Sequence, residues 1–130
     1  MHAFAKDCKN LDKLPKYVPN LSKVTDASQM FEDAHAFDQP LNHWDVAHIE
    51  DMSAMFKNAF NFNQPLDNWN VSSVQNMNMM FMHASSFSYY PENWIVPKGQ
   101  AEAMFHYTKV ENSPMRNRSR HEIREGSAHD

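Results

Sequence analysis

The chain has 130 residues, 42% of them hydrophobic and 12% aromatic, which is the length and apolar content of one folded domain and argues against disorder throughout. Its net charge of −4, from 16 acidic and 12 basic residues, offers no general attraction to a phosphate backbone, so nucleic acid is a poor partner. Only two glycines, Gly99 and Gly126, and one cysteine, Cys8, are present, which excludes glycine-rich phosphate loops and an intrachain disulfide.

The chain opens with Lys6, Asp7 and Lys9 where a signal peptide would carry an apolar stretch, and no later apolar run is long enough for a transmembrane segment. Phe4, Cys8, Leu11 and Leu14 follow the spacing of a motif that becomes clear further on, so residues 1–19 are read as a degenerate first coil. From residue 20 the motif repeats. Met-Phe pairs stand at Met30-Phe31, Met55-Phe56, Met80-Phe81 and Met104-Phe105, spaced by 25, 25 and 24 residues. Ala34, Ala59 and Ala84 keep the same register, as do Phe37, Phe62 and Phe87, then Trp44, Trp69 and Trp94. A single deletion between Val96 and Ala101 accounts for the short last spacing.

Within a unit, Met52, Met55, Phe56 and Ala59 fall at i, i+3, i+4 and i+7, which predicts a short helix over 50–59. Asp26 and Asp51 would sit near helix starts, where a carboxylate accepts from free backbone N–H groups. Pro40 and Pro65 lead into an apolar-polar-apolar string, Trp44-Asp45-Val46 in the first case, which predicts a short strand or extended segment. The expected fold is therefore an α/β repeat, a short leucine-rich-repeat-like solenoid of about four 25-residue coils spanning 1–109. Residues 110–130, which hold Arg116, Arg118, Arg120 and Arg124, are expected to form a polar, flexible tail.

The string Asp51-Met52-Ser53-Ala54-Met55-Phe56-Lys57-Asn58-Ala59, followed by Phe62-Asn63-Gln64-Pro65-Leu66-Asp67-Asn68-Trp69-Asn70-Val71, closely resembles the repeat of BspA-like leucine-rich-repeat surface proteins. The 25-residue variant is also found in mycoplasma lipoproteins. The resemblance covers roughly residues 20–108. It implies a non-enzymatic repeat module, displayed at a cell surface or secreted, with a role in adhesion or host contact. The third unit departs from the pattern, carrying Tyr89-Tyr90-Pro91 where Gln64-Pro65-Leu66 stands in the second.

Candidate chemistry is sparse. His43, Asp45 and His48 have metal-ligand chemistry, but the sister unit holds Asn68, Asn70 and Ser73 there, so they are read as outward polar columns and no metal or other cofactor is expected. The Met column sits at core spacing beside Phe and is read as polarizable packing. Cys8 falls in the small-residue column of Ala34, Ala59 and Ala84. No nucleophile, base or carboxylate pair stands out from the repeat, so no catalytic residue is assigned. Tyr89 and Tyr90, which break the repeat, and Tyr107 near its end are the candidate binding residues, because aromatics with a polar end favour interfaces. The expected function is contact with a protein or glycan partner, with self-association through the coil ends as the alternative.

Overall fold

The computed structural model describes residues 19–111. The degenerate coil expected over 1–19 and the tail expected over 110–130 lie, apart from their inner ends, outside the described residues. What is described is a stack of coils, the first over 26–50, the second over 51–75, the third over 76–99 and a partial fourth over 100–111.

The building unit of each coil is a four-residue turn. In the first coil the fourth N–H donates to the first C=O at Ala27–Met30, Phe31–Ala34, Ala34–Phe37, Leu41–Trp44 and Val46–Ile49, over 3.0–3.3 Å. The second coil repeats the set at Met52–Met55, Phe56–Ala59, Ala59–Phe62, Leu66–Trp69 and Val71–Val74. First and fourth residues are apolar and buried; middle pairs such as Asp67-Asn68 and Ser72-Ser73 face solvent, while the middle residues Glu32 and Ala54 are buried. A turn brings its ends to one side of the chain, so a string of turns buries residues three and four apart without forming a helix.

This overturns the expected α/β solenoid of helix-and-strand coils. Among the described residues there is no helix, and strand pairing is reduced to isolated parallel bridges, Asp26 with Asp51 and Asp51 with Asn76. Two facts exclude the helix expected over 50–59. Ala54 and Asn58 have φ of 54° and 62°, left-handed values that interrupt a right-handed helix. The N–H groups of Met52, Ala54, Phe56 and Asn58 point out of their own coil and donate to Asn76, Asn78, Met80 and Met82 of the third coil at 2.8–3.0 Å. The expected extended string Trp44-Asp45-Val46 is the junction of two abutting turns, which also leaves Trp44 and Val46 inside and Asp45 outside. Asp26 and Asp51 do accept from backbone, as Asx turns: each Oδ1 takes the N–H of Ser28 or Ser53 at 2.9 Å.

The core is a set of ladders running along the stack. Phe31, Phe56, Phe81 and Phe105 lie nearly parallel, with centroids 5.4, 5.3 and 5.5 Å apart. Phe37, Phe62 and Phe87 form a second ladder at 5.9 and 6.0 Å, and Trp69 stacks on Trp94 at 6.2 Å. Two buried indoles are also tied to the preceding coil: Trp69 Nε1 donates to the Leu41 C=O at 2.8 Å and Trp94 Nε1 to the Leu66 C=O at 3.1 Å. Outside, acidic columns are interrupted by amides that donate to them, as Asn58 does to Asp33 at 2.8 Å and Asn42 to Asp67 at 3.0 Å. These amide donors offset part of the charge in the acidic columns, although Asp26 and Asp51 still stand opposite each other across the first and second coils.

The left-handed residues recur in two columns, Gln29, Ala54, Met79 and Ala103 in one, Asp33, Asn58, His83 and Tyr107 in the other, with φ between 54° and 64°. Asp, Asn and His suit that region better than most residues, but Met and Ala pay a steric cost of about 1 kcal/mol or more. Met79→Gly is accordingly expected to stabilise the fold by about 1 kcal/mol, because the Met79 side chain is exposed and little packing is lost. Met82→Gly, three residues on and outside the left-handed columns, is expected to destabilise by about 1 kcal/mol. Chemical denaturation of both variants checks the pair; equal shifts of the same sign would remove the strain argument.

Candidate functional site

The polar corners at the Asn-Trp end of each coil form a continuous open groove between the second and third coils. One part, about 580 Å³, lies between Pro65–Asn68 and Tyr89–Asn93; the other, about 510 Å³, extends past Asn70 and Ile95 and shares Asp67, Asn68 and Asn93 with the first. Local turn geometry sets this up. Asp67-Asn68 and Glu92-Asn93 are the outward middle residues of the turns Leu66–Trp69 and Pro91–Trp94, so both pairs project from the surface in register.

Tyr89 owes its position to the break in the repeat. In the second coil, Gln64 uses its amide to reach back to the Asp38 carboxylate at 3.0 Å. Tyr89 occupies the same column, has no such group, and stands 47% exposed at the groove. Tyr90 instead packs on the core, its ring 5.2 Å from Phe105, and Pro91 takes the buried place that Leu66 holds one coil earlier. The two tyrosines thus share the groove lining but differ in role: one anchors the corner, the other faces solvent.

Tyr107 is exposed but does not line this groove. Its ring stacks on His83 at 4.4 Å, much as Phe60 stacks on His35 at 4.5 Å. The three candidate tyrosines therefore divide into a pair at the groove and one apart from it. His43 and His48 are exposed, and Asp45 uses Oδ1 to accept the Ala47 N–H at 3.1 Å. Among the described residues no three His, Cys, Asp or Glu side chains come together as a metal site, and no helix is long and apolar enough to cross a membrane. Cys8 lies outside the described residues.

Sequence reasoning missed the polar half of the groove. The Asp67 carboxylate accepts from Asn42 and its C=O from Asn93 Nδ2 at 2.7 Å, and Glu92, at the exposed corner next to Tyr89, has no ion pair among the described residues. The available signal was columnar: Asn42, Asp67 and Glu92 are one position in three successive coils, neutral in the first and acidic in the second and third.

No curated protein and no solved structure matches the chain. A family model does, the one described as "Mycoplasma protein of unknown function, DUF285", and it aligns with residues 1–118. With nine-tenths of its length covered by that family model, the chain belongs to this family.

Proposed function

We propose that the chain is a non-enzymatic repeat module that binds a protein partner through the groove beside Tyr89. The observation that carries this reading is the combination, at one break in the repeat, of an exposed tyrosine with an exposed carboxylate, Glu92, that has no hydrogen-bond partner among the described residues. A rigid aromatic ring buries a large contact area at small entropic cost, and neighbouring carboxylates and amides supply specificity. The stack itself is fixed by intercoil hydrogen bonds and aromatic ladders, so the groove is preformed and ordering it adds little cost to binding. The resemblance to BspA-like surface proteins supports an adhesive setting for that contact.

The test begins with a panel of purified host extracellular proteins presented to the full chain in a surface-binding assay. For a protein that binds, Tyr89→Ala is expected to raise the dissociation constant at least tenfold, with the melting transition unchanged, as for an aromatic hot spot worth about 1.4 kcal/mol or more. Phe60→Ala, which removes an exposed aromatic that does not line the groove, serves as the comparison. Loss of binding with Phe60→Ala and none with Tyr89→Ala would place the contact elsewhere and end the groove reading.

A further inference from the structure

We infer that the protein partner of this groove presents an arginine, whose guanidinium lies on the Tyr89 ring and bridges the carboxylates of Asp67 and Glu92. The inference rests on the groove being a binding site and names the chemistry that the groove recognises.

It starts from a rung that the stack lacks. Asn42, Asp67 and Glu92 hold one position in three successive coils. Between the first and second coils that position is bridged, because Asn42 Nδ2 donates to the Asp67 carboxylate at 3.0 Å while Asn42 Oδ1 accepts the Asn68 N–H at 2.8 Å. One coil on, both side chains are carboxylates, so neither can donate to the other. The corner is held instead by Asn93, whose Nδ2 donates to the Asp67 C=O at 2.7 Å, and the two acids are left facing solvent in one column.

Other acids in the stack are provided for. Asp33 takes the Asn58 amide at 2.8 Å, and Asp38 takes the Gln64 amide at 3.0 Å. Asp26 and Asp51, which also stack acid on acid, each bind the N–H and the hydroxyl of a serine in their own turn at 2.6–2.9 Å. Glu92 has no donor among the described residues. Like charges on neighbouring rungs repel, and a cation set between them replaces that repulsion with two attractions.

The shape of the groove selects the cation. Neighbouring coils lie 5.3–6.2 Å apart along the aromatic ladders, and a planar guanidinium carries N–H groups on both edges with which to span such a gap. Tyr89, three residues before Glu92 and 47% exposed, offers a ring face on which that plane stacks. A lysine ammonium, a point charge without a plane, uses the acids but not the ring in this way. Among the described residues no lysine, arginine or histidine lines either part of the groove, so the cation comes from the partner. Residues 19–111 hold eleven acidic side chains against four lysines, which draws a basic segment toward the stack.

The test uses the full 130-residue chain and three blocked peptides, Gly-Ser-Gly-Xaa-Gly-Ser-Gly, in which Xaa is arginine, lysine or citrulline, the uncharged counterpart of arginine. In nuclear magnetic resonance titrations to millimolar concentration, the arginine peptide is expected to shift the amide signals of Tyr89, Glu92 and Asn93, to bind about fivefold more tightly than the lysine peptide, and to lose its effect when citrulline replaces arginine. Glu92→Gln and Asp67→Asn, both at exposed positions, are each expected to weaken binding of the arginine peptide about fivefold, whereas Glu102→Gln, an exposed acid outside the groove, leaves it unchanged. No shift with the arginine peptide, equal binding of the lysine or citrulline peptide, or equal losses with Glu92→Gln and Glu102→Gln would overturn the inference. For a partner found in the surface-binding assay, binding lost with Tyr89→Ala but unchanged with Glu92→Gln would leave the groove reading standing and remove this one alone.

Discussion

Phe56→Ala is expected to lower the unfolding free energy by about 3–5 kcal/mol, the range for emptying a fully buried aromatic site. The ring is 0% exposed and stacked between Phe31 and Phe81, with Phe62 at 4.3 Å and Trp69 at 6.3 Å. The resulting cavity has little means of closing, because the N–H groups on either side of Phe56 fix the distance to the next coil. Position adds to the loss. A break in the second coil leaves too few coils on either side to stand alone, since stacked repeats need about three neighbours for stability. Phe105→Ala removes the same ring from the end of the ladder, where its aromatic neighbours are Phe81 and Tyr90, and should cost about half as much. Urea denaturation followed by circular dichroism compares them. Equal losses at both positions would show that the coils unfold independently and that the ladder does not couple them.

Trp69 is the second position where a large effect is expected, and two substitutions separate its contributions. Trp69→Phe keeps most of the apolar ring but deletes the Nε1 donor, so the Leu41 carbonyl loses its 2.8 Å partner and keeps only the Trp44 N–H, at a cost of about 1 kcal/mol. Trp69→Ala also empties the space against Phe56 and Trp94 and is expected to cost about 3–5 kcal/mol. If Trp69→Phe were neutral, the indole would act as filler only, and the tie between Leu41 and Trp69 would not be part of what holds the first and second coils together.

The repeat register was readable from sequence because identical side chains must stack on themselves: the Phe and Trp columns are the ladders of the structure, and the deletion after Val96 reappears as Met77 bonding to Gln100 where Met52 bonds to Asn76. The local conformation was not readable from the same positions. Met52, Met55, Phe56 and Ala59 satisfy a helical spacing and a chain of turns equally well, since both return to one side every three or four residues. The discriminating signal lay outside that window. Leu66 and Trp69, then Val71 and Val74, continue the apolar-x-x-apolar pattern through the region assigned to an extended segment, where an alternating strand would have period two. Left-handed Ala54 and Met79 gave no warning, as neither residue type favours that region. At the groove, the break at Tyr89 and Tyr90 was visible, but Asp67 and Glu92 were not, because their neighbourhood depends on how one coil lies over the next.

The direction of the intercoil hydrogen bonds has an electrical consequence. Along the segment from Ala27 to Asp33 and its two successors, every intercoil N–H points from an earlier coil to a later one, through Phe31 to Met55, Phe56 to Met80 and Phe81 to Met104. Peptide dipoles aligned in this way add, as they do in a helix, and leave partial positive charge where the last N–H groups emerge. In the fourth coil that pole lies at Ala101, Ala103, Phe105 and Tyr107, and the carboxylate of Glu111 meets it there, accepting the Tyr107 N–H at 3.2 Å. Without a helix among the described residues, this one segment thus aligns its peptide dipoles as a helix does and ends them with an anion, while intercoil bonds elsewhere, such as Asn61 to His35 and Ser86 to Phe60, run the opposite way.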